Sequence, residues 1–171
     1  MEPLDIQFLG EGEAQVALLL AMLDDNTKQW RGMLGDVSEE ALVWQPVAQG
    51  HSIGAVLLHN TDVEAYWLHE VLAGEMMSSE LRKLLLSDET DQFGGIWPAP
   101  PSQPLSWYYA QHDTIRERTR QIIRELQDPT AAFGKERKFT LRWLLHHVIT
   151  HEAYHCGQIA LLAAQFGAKA N

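Results

Sequence analysis

Apolar side chains recur along this chain at steps of three and four residues, the period of a helix with one buried face. The first run predicts a helix from Ala14 to Leu34. Its inner stripe consists of Val16, Leu19, Leu20, Leu23, Thr27, Trp30 and Leu34. The second helix is predicted from Ser52, which can cap it, to Ala73, where Gly74 stops it. Its inner face would carry Val56, His59, Val63 and Tyr66.

Two more helices follow the same pattern after a long loop from Ser87 to Pro104, a length typical of lids and binding loops. The third helix runs from Leu105 to Leu126. Its stripe consists of Leu105, Tyr108, His112, Ile115, Thr119, Ile122 and Leu126. Thr140 can cap the fourth helix, which would continue to about Phe166 before Gly167 stops it. Its stripe consists of Leu144, Val148, His151, His155, Gln158 and Leu162.

Four amphipathic helices without a convincing strand predict an all-α protein, folded as a four-helix bundle that is antiparallel or contains a crossover connection. The last two connections are long enough for one crossover. With 171 residues, 46% of them hydrophobic, the chain can form one domain with a sizeable core. We therefore expect a single four-helix-bundle domain over residues 1–171.

The charge of the chain limits its partners. A net charge of −10 argues against nucleic acid, because phosphate binding needs clustered lysine and arginine. The densest basic patch, formed by Arg116, Arg118, Arg120 and Arg124, lies among acids and is typical of a solvated helix face. No segment has the ~20 apolar residues of a membrane span, and residues 1–5 lack an export signal. With a single cysteine, these features predict a cytoplasmic protein without a disulfide.

The sequence His151-Glu152-Ala153-Tyr154-His155 matches H-E-x-x-H, in which two histidines four apart on a helix share a metal. Zinc proteases with this motif take a third ligand from downstream, but residues 156–171 contain no Asp, Glu or His. A third ligand must therefore come from upstream, which points away from a protease. Glu152 is rotated by ~100° from His151, so it faces the metal, a neighbouring helix or solvent.

His59 is the candidate third ligand, because it lies on the apolar stripe of the second helix. One histidine on such a face is more often a hydrogen-bonded core side chain than a ligand. The convergence of His59, His151 and His155 favours a metal, with core histidines as the alternative. His147 is a rival for the helical pair. Three ligands on one straight helix would span ~12 Å, so we prefer His151 with His155.

Several other side chains are candidates to line the pocket around the ion. They are Gln158, His112, Tyr66 and His147. Gln158 extends the face of the metal pair, whereas His112 is equally compatible with a core histidine that is bonded to backbone or tyrosine. Trp44 and Trp97 lie in predicted loops and are candidates for a substrate wall. His69 falls off the predicted inner face and should lie at the surface.

Two motifs resemble the DinB-like family of four-helix metalloproteins. One is Trp44-Gln45-Pro46 followed by His51-Ser52-Ile53-Gly54 at the start of a helix, with His59 about two turns in. The other is His151-Glu152-Ala153-Tyr154-His155-Cys156-Gly157-Gln158-Ile159, which is similar to that family's H-x-x-x-H-x-G-Q signature. The resemblance covers nearly the whole chain. It implies that one divalent metal is bound by His59, His151 and His155.

The resemblance also carries expectations about chemistry. Family members of known activity are thiol S-transferases that use a low-molecular-weight thiol, or a thiol-dependent maleylpyruvate isomerase. Others are described only as metal-dependent hydrolases. Many are dimers, and zinc, nickel, iron and manganese all occur among them. The resemblance thus implies a divalent transition metal (Zn, Ni, Fe or Mn), a low-molecular-weight thiol, a small-molecule substrate and a homodimer.

Three functions are compatible with these residues. The ion could favour the thiolate form of a thiol that attacks an electrophilic small molecule, or it could activate water for hydrolysis of an ester or amide. A non-enzymatic metal-binding stress-response module would instead have a closed shell, completed by Asp62 or Glu64 near His59. In each case the ligand form is neutral imidazole. Free histidine titrates near ~6.5, so we expect metal binding to fail below about pH 6.

Overall fold

Four long helices form the fold, and they begin and end near the positions that the hydrophobic pattern predicts. The computed structural model describes residues 14–126 and 128–170. The elements in chain order are α1 (Ala14–Leu34), α2 (Glu39–Val43), α3 (Ile53–Glu64) with a π-helical continuation (Ala65–Ala73), α4 (Ser79–Leu85), α5 (Leu105–Arg124), β1 (Ala132–Phe133), β2 (Phe139–Thr140) and α6 (Leu141–Ala170). The prediction of an all-α bundle is confirmed. Residues 1–5, from which we predict the lack of an export signal, lie outside the described residues.

The helix ends follow the local chemistry of the sequence, with one exception. Ser52 and Thr140 cap α3 and α6, each accepting a hydrogen bond from the amide three residues on, at 3.2 and 3.3 Å. Gly74 has a φ of 76° and ends the π-helical continuation in the left-handed conformation, which glycine adopts without strain. The prediction that Gly167 stops the last helix is wrong, because α6 continues to Ala170. An interior glycine costs a helix only ~1 kcal/mol.

The helix α2 and the strands β1 and β2 were not predicted, because they are too short to show a hydrophobic period. The helix α2 is a single turn of 5 residues, capped by Ser38. The strands β1 and β2 pair antiparallel, with Phe133 opposite Phe139, in the connection that leads into α6. These elements lie next to the starts of α3 and α6, the two helices that carry the histidines.

The crossover connection lies between α3 and α5. These two helices run in the same direction, since Glu64 pairs with Arg116 and, further along both helices, His69 contacts Thr119. Parallel neighbours cannot be joined by a short turn, and residues 75–104, which include α4, make the long return. None of the described helices is long and apolar enough to cross a membrane.

The π-helical continuation changes which side chains of the second long helix face inward. In a π-helix the hydrogen bonds join residues five apart, so a face counted at 3.6 residues per turn is not kept. The prediction that Tyr66 lies on the inner face is therefore wrong, because its side chain is 44% exposed. The prediction that His69 lies at the surface is also wrong. His69 is buried, and its Nε2 lies 3.1 Å from the hydroxyl of Thr119.

A layer of buried polar side chains separates two apolar clusters along the bundle. One cluster includes Trp30, Leu58, Tyr108 and Ile159, and the other includes Leu23, Leu68, Ile122 and Val148. On every long helix the buried polar residues, apart from His69, lie between members of the two clusters. They include Thr27, His59, Glu64, His112, Arg116, Glu152 and His155. This polar layer contains the candidate functional residues.

Candidate metal centre

Three histidines from two antiparallel helices meet in the polar layer. His151 and His155 lie four apart on α6, so they share a face, and His59 approaches them from α3. The ring centroids are 4.4 Å apart for the α6 pair, and 5.0 and 4.9 Å from His59 to His151 and His155. One ring nitrogen of each lies within 4.8 Å of the others, the only such group among the described residues. The structure thus brings together the three residues that the sequence singles out.

The hydrogen bonding of the three rings leaves nitrogen lone pairs available for an ion. Nδ1 of His155 lies 2.7 Å from Oε1 of Gln158. Because a carbonyl oxygen only accepts, Nδ1 of His155 carries the proton and its Nε2 carries the lone pair. The Nε2 atoms of His59 and His151 are buried without a hydrogen-bond partner, which is costly unless something else binds there. A divalent ion held by neutral imidazoles fits this donor set.

Burial keeps the three imidazoles neutral. Desolvation, reinforced by the neighbouring histidine His155, lowers the pKa of His59 to about 4. Desolvation and the two other histidines lower the pKa of His151 to about 3. Desolvation also lowers the pKa of His155, against the opposite effect of the hydrogen bond that its Nδ1 donates to Gln158. The expectation that metal binding fails below about pH 6 is therefore revised to a lower pH, because protons do not compete for these nitrogens until the solution is more acidic.

We expect the metal-free protein to lose stability as the pH falls from about 6.5 towards 4. Over this range the histidines of the unfolded chain take up protons, whereas His59 and His151 in the folded chain do not. The pKa values of these two histidines are lower in the folded chain than in the unfolded chain. The histidines therefore do not destabilise the fold above pH 6.5, and they destabilise it increasingly as the pH falls. Thermal melts of chelator-treated protein from pH 7.5 to 4 would measure the slope. A His59→Phe variant should show a shallower slope, and an unchanged slope would contradict the assignment.

Trp97 forms one wall of the site. Its side chain is 2% exposed, and its ring lies 5.1 Å from His59, 5.9 Å from His155 and 4.1 Å from His51. The carbonyl of Trp97 accepts a hydrogen bond from Nε2 of Gln45 at 3.0 Å. This bond fixes the loop that carries Trp97 to the segment between α2 and α3. The indole N–H is buried without a partner. This is the position that a substrate wall requires.

The other predicted wall residue and one pocket residue lie elsewhere. Trp44 packs against Phe166 at 5.6 Å. His147 stacks on Trp143 with ring centroids 4.9 Å apart, and it is 6.0 Å from His151, outside the histidine group. The pair His151 and His155, rather than His147 and His151, is therefore the one that meets His59.

Glu152 faces away from the histidine group, into the interior of the bundle. Its carboxylate accepts hydrogen bonds from Thr27 Oγ1 at 2.7 Å and from Trp30 Nε1 at 2.6 Å, both on α1. It is 3% exposed and also faces Arg116. A carboxylate bonded in this way is not positioned as the general base of a protease.

The carboxylates near His59 are also engaged elsewhere. Asp62 accepts a hydrogen bond from Ser87 at 2.5 Å, and Glu64 forms a two-point ion pair with Arg116 at 2.9 Å for each contact. Neither joins the histidine group among residues 14–126 and 128–170. His112 belongs to the same polar contacts, with Nε2 3.6 Å from Glu64, and not to the histidine group.

The buried cation and one histidine near the site were not predicted from the sequence. Arg116, predicted on a solvated face, is 2% exposed, because His112 one turn earlier and Thr119 three residues later place it inside the polar layer. His51 lies in the loop before α3 with its ring against Trp97, and desolvation lowers its pKa. The burial of Arg116 could have been predicted from two features of the sequence. It lies four residues after His112, a histidine of the inner stripe, and glutamates occupy inner positions of two other helices.

Comparison with known proteins adds the family. No curated protein sequence matches the chain significantly. The family model described as Mycothiol-S-transferase matches residues 18–166, most of the 171 residues and all three histidines. The match confirms the DinB-like resemblance. The chain therefore belongs to the mycothiol S-transferase family, a DinB-like family of thiol S-transferases.

Proposed function

We propose that this protein is a divalent-metal-dependent transferase that joins a low-molecular-weight thiol to an electrophilic small molecule. The observation that carries the proposal is a group of three neutral histidines, with ring nitrogens within 4.8 Å of one another, in a mycothiol S-transferase chain. The family's name makes mycothiol the first thiol to test. The electrophile is a small molecule that can approach the face bordered by Trp97.

In this proposal His59, His151 and His155 hold a zinc, nickel, iron or manganese ion. Such an ion strongly favours the deprotonated form of a thiol, so the thiol reacts as thiolate at neutral pH. Gln158 keeps the proton of His155 on Nδ1 and so fixes the orientation of its ring. Trp97 covers the histidines and excludes water from that side.

The transfer needs no reactant besides the thiol and the electrophile. The thiolate sulfur forms a bond to the electrophilic carbon, the leaving group departs with the electron pair of the broken bond, and the thiol proton passes to solvent. No carboxylate of the described residues joins the histidine group, which supports an open site over the closed shell of a purely structural metal module. Glu152 and Cys156 do not act on the thiol or the electrophile in this proposal, because both are buried in other contacts.

The test is product formation from a panel of electrophiles, each incubated with mycothiol, glutathione or no thiol. We expect the conjugate, identified by its mass, only when both metal and thiol are present. Chelator-treated protein and a His155→Ala variant are the matched negative controls. Restoration of activity by one equivalent of metal in the wild type, but not in His155→Ala, would tie turnover to the histidine group.

The same panel separates the alternatives. Activated esters cleaved in a metal-dependent but thiol-independent way would favour the hydrolase. Stoichiometric metal without turnover of any electrophile or ester would favour a non-enzymatic metal-binding module. Either result would replace the transferase proposal.

A further inference from the structure

Arg116 on α5 lies at the centre of a buried ion network behind the histidine group. Its guanidinium contacts both carboxylate oxygens of Glu64 at 2.9 Å and one oxygen of Glu152 at 3.4 Å. The remaining nitrogen donates to Thr27 Oγ1 at 2.9 Å. A fourth charged side chain, the partly exposed Asp24, lies 3.2 Å from the same nitrogen. Arg116, Glu64 and Glu152 are almost completely buried, with Glu64 1% exposed.

The two glutamates occupy special places on the helices that carry the histidines. Glu64 ends the α-helical part of α3, five residues after His59, at the point where the π-helical continuation begins. Glu152 lies on α6 between His151 and His155. The helix α5 contributes no histidine to the group. Through one guanidinium it is nevertheless bonded to both helices that do.

His112 completes the network from the same helix. Its Nδ1 lies 2.9 Å from the guanidinium of Arg31, which can only donate, so Nδ1 accepts and Nε2 carries the proton. The Nε2 atom lies 3.6 Å from Glu64 and 3.7 Å from Glu152. The protonated Nε2 of the neutral imidazole thus lies beside the same two carboxylates that Arg116 contacts.

We propose that Arg116 is a positioning residue, which sets the separation and rotation of α3 and α6 and so holds His59 at the distance from His151 and His155 that a metal ion requires. The proposal rests on the metal site of the proposed function. Stability alone is a weak reason for such a network, because buried ion pairs can often be replaced by apolar side chains without loss. Residues that orient metal ligands without binding the metal themselves typically lower metal affinity by about 10–100-fold when they are removed.

Arg116→Lys is the sharpest test, because it keeps the positive charge but a single ammonium cannot reproduce the two-point contact with Glu64 while it faces Glu152. Arg118→Lys is the matched control, two residues away on α5, where the arginine pairs with Glu75 at the surface. Co²⁺ would be titrated into each chelator-treated protein, with its visible absorption as the readout. We expect Arg116→Lys to bind Co²⁺ about tenfold or more weakly with an altered spectrum, and Arg118→Lys to match the wild type.

Melting curves with and without metal separate positioning from general destabilisation. A purely structural role would lower both melting temperatures and leave the increase caused by metal unchanged. A positioning role reduces that increase. Should Arg116→Lys fail to fold, Glu152→Gln keeps an acceptor for Thr27 and Trp30, removes the charge that faces Arg116, and should weaken Co²⁺ binding in the same direction.

The outcomes distinguish this proposal from the proposed function. Wild-type protein that takes up no Co²⁺ would overturn the metal site itself. Wild-type protein that binds Co²⁺, with a folded Arg116→Lys or Glu152→Gln variant of unchanged affinity and spectrum, would overturn only the positioning role of Arg116.

Discussion

Replacing His59 by alanine is expected to lower the metal content of the purified protein from about one ion per chain to less than about a tenth. His59 is the only member of the histidine group on α3, and its Nε2 is buried without a hydrogen-bond partner. Without it the ion would have only the two histidines of α6. Such a pair, on one face of one helix, lacks the third protein ligand of known three-histidine sites.

The measurement is elemental analysis of tag-free protein, with His151→Ala and His155→Ala expected to behave like His59→Ala. His146→Ala is the control, since His146 lies on α6 but is exposed. Near-complete occupancy in His59→Ala would remove the third ligand from the assignment, whereas loss of metal in His146→Ala would show that the site lies elsewhere.

The part of the site that depends on regular helices could be predicted from the sequence. His151 and His155 lie four apart on an unbroken helix, and His59 lies in the α-helical part of α3, so a period of 3.6 places all three correctly. Gln158 is found by the same reasoning. For these residues the hydrophobic stripe of each helix is sufficient information.

The errors begin where the helix changes its geometry. Tyr66 and His69 follow the transition to π-helix at Ala65, and both were assigned to the wrong side. No propensity in the sequence marks that transition. Its position directly after Glu64, which is bonded to Arg116, indicates that tertiary contacts favour the wider turn, a common arrangement beside functional sites.

Long-range pairing was the second limit. A charged residue is assigned to the surface unless its partner is known, and the two glutamate partners of Arg116 lie 52 and 36 positions away. The same limit applies to the two loop tryptophans. Trp97 lies against the histidines because the crossover loop folds back over the start of α3, where Gln45 holds it, whereas Trp44 packs against Phe166.

Replacing Glu64 by alanine is expected to lower the free energy of unfolding by about 3–5 kcal/mol, because it leaves the guanidinium of Arg116 buried without its main partner. Urea denaturation at pH 7 would measure this loss. Glu75→Ala, which removes the surface partner of Arg118 on the same helix, should have little effect. Similar, small losses in both variants would mean that the buried pair contributes no more than an exposed one.

The pH dependence provides an independent check on Glu64. Burial raises the pKa of this carboxyl, but Arg116 more than offsets that effect and lowers the pKa to about 2, from an ordinary 4.5. A depressed carboxyl pKa contributes stability that is complete above about pH 4.5 and is lost as the pH falls towards 2. The wild type should therefore lose more stability than Glu64→Ala between pH 4.5 and 2.5. Parallel losses in the two proteins would show that Glu64 is not ionised by Arg116 in the folded chain.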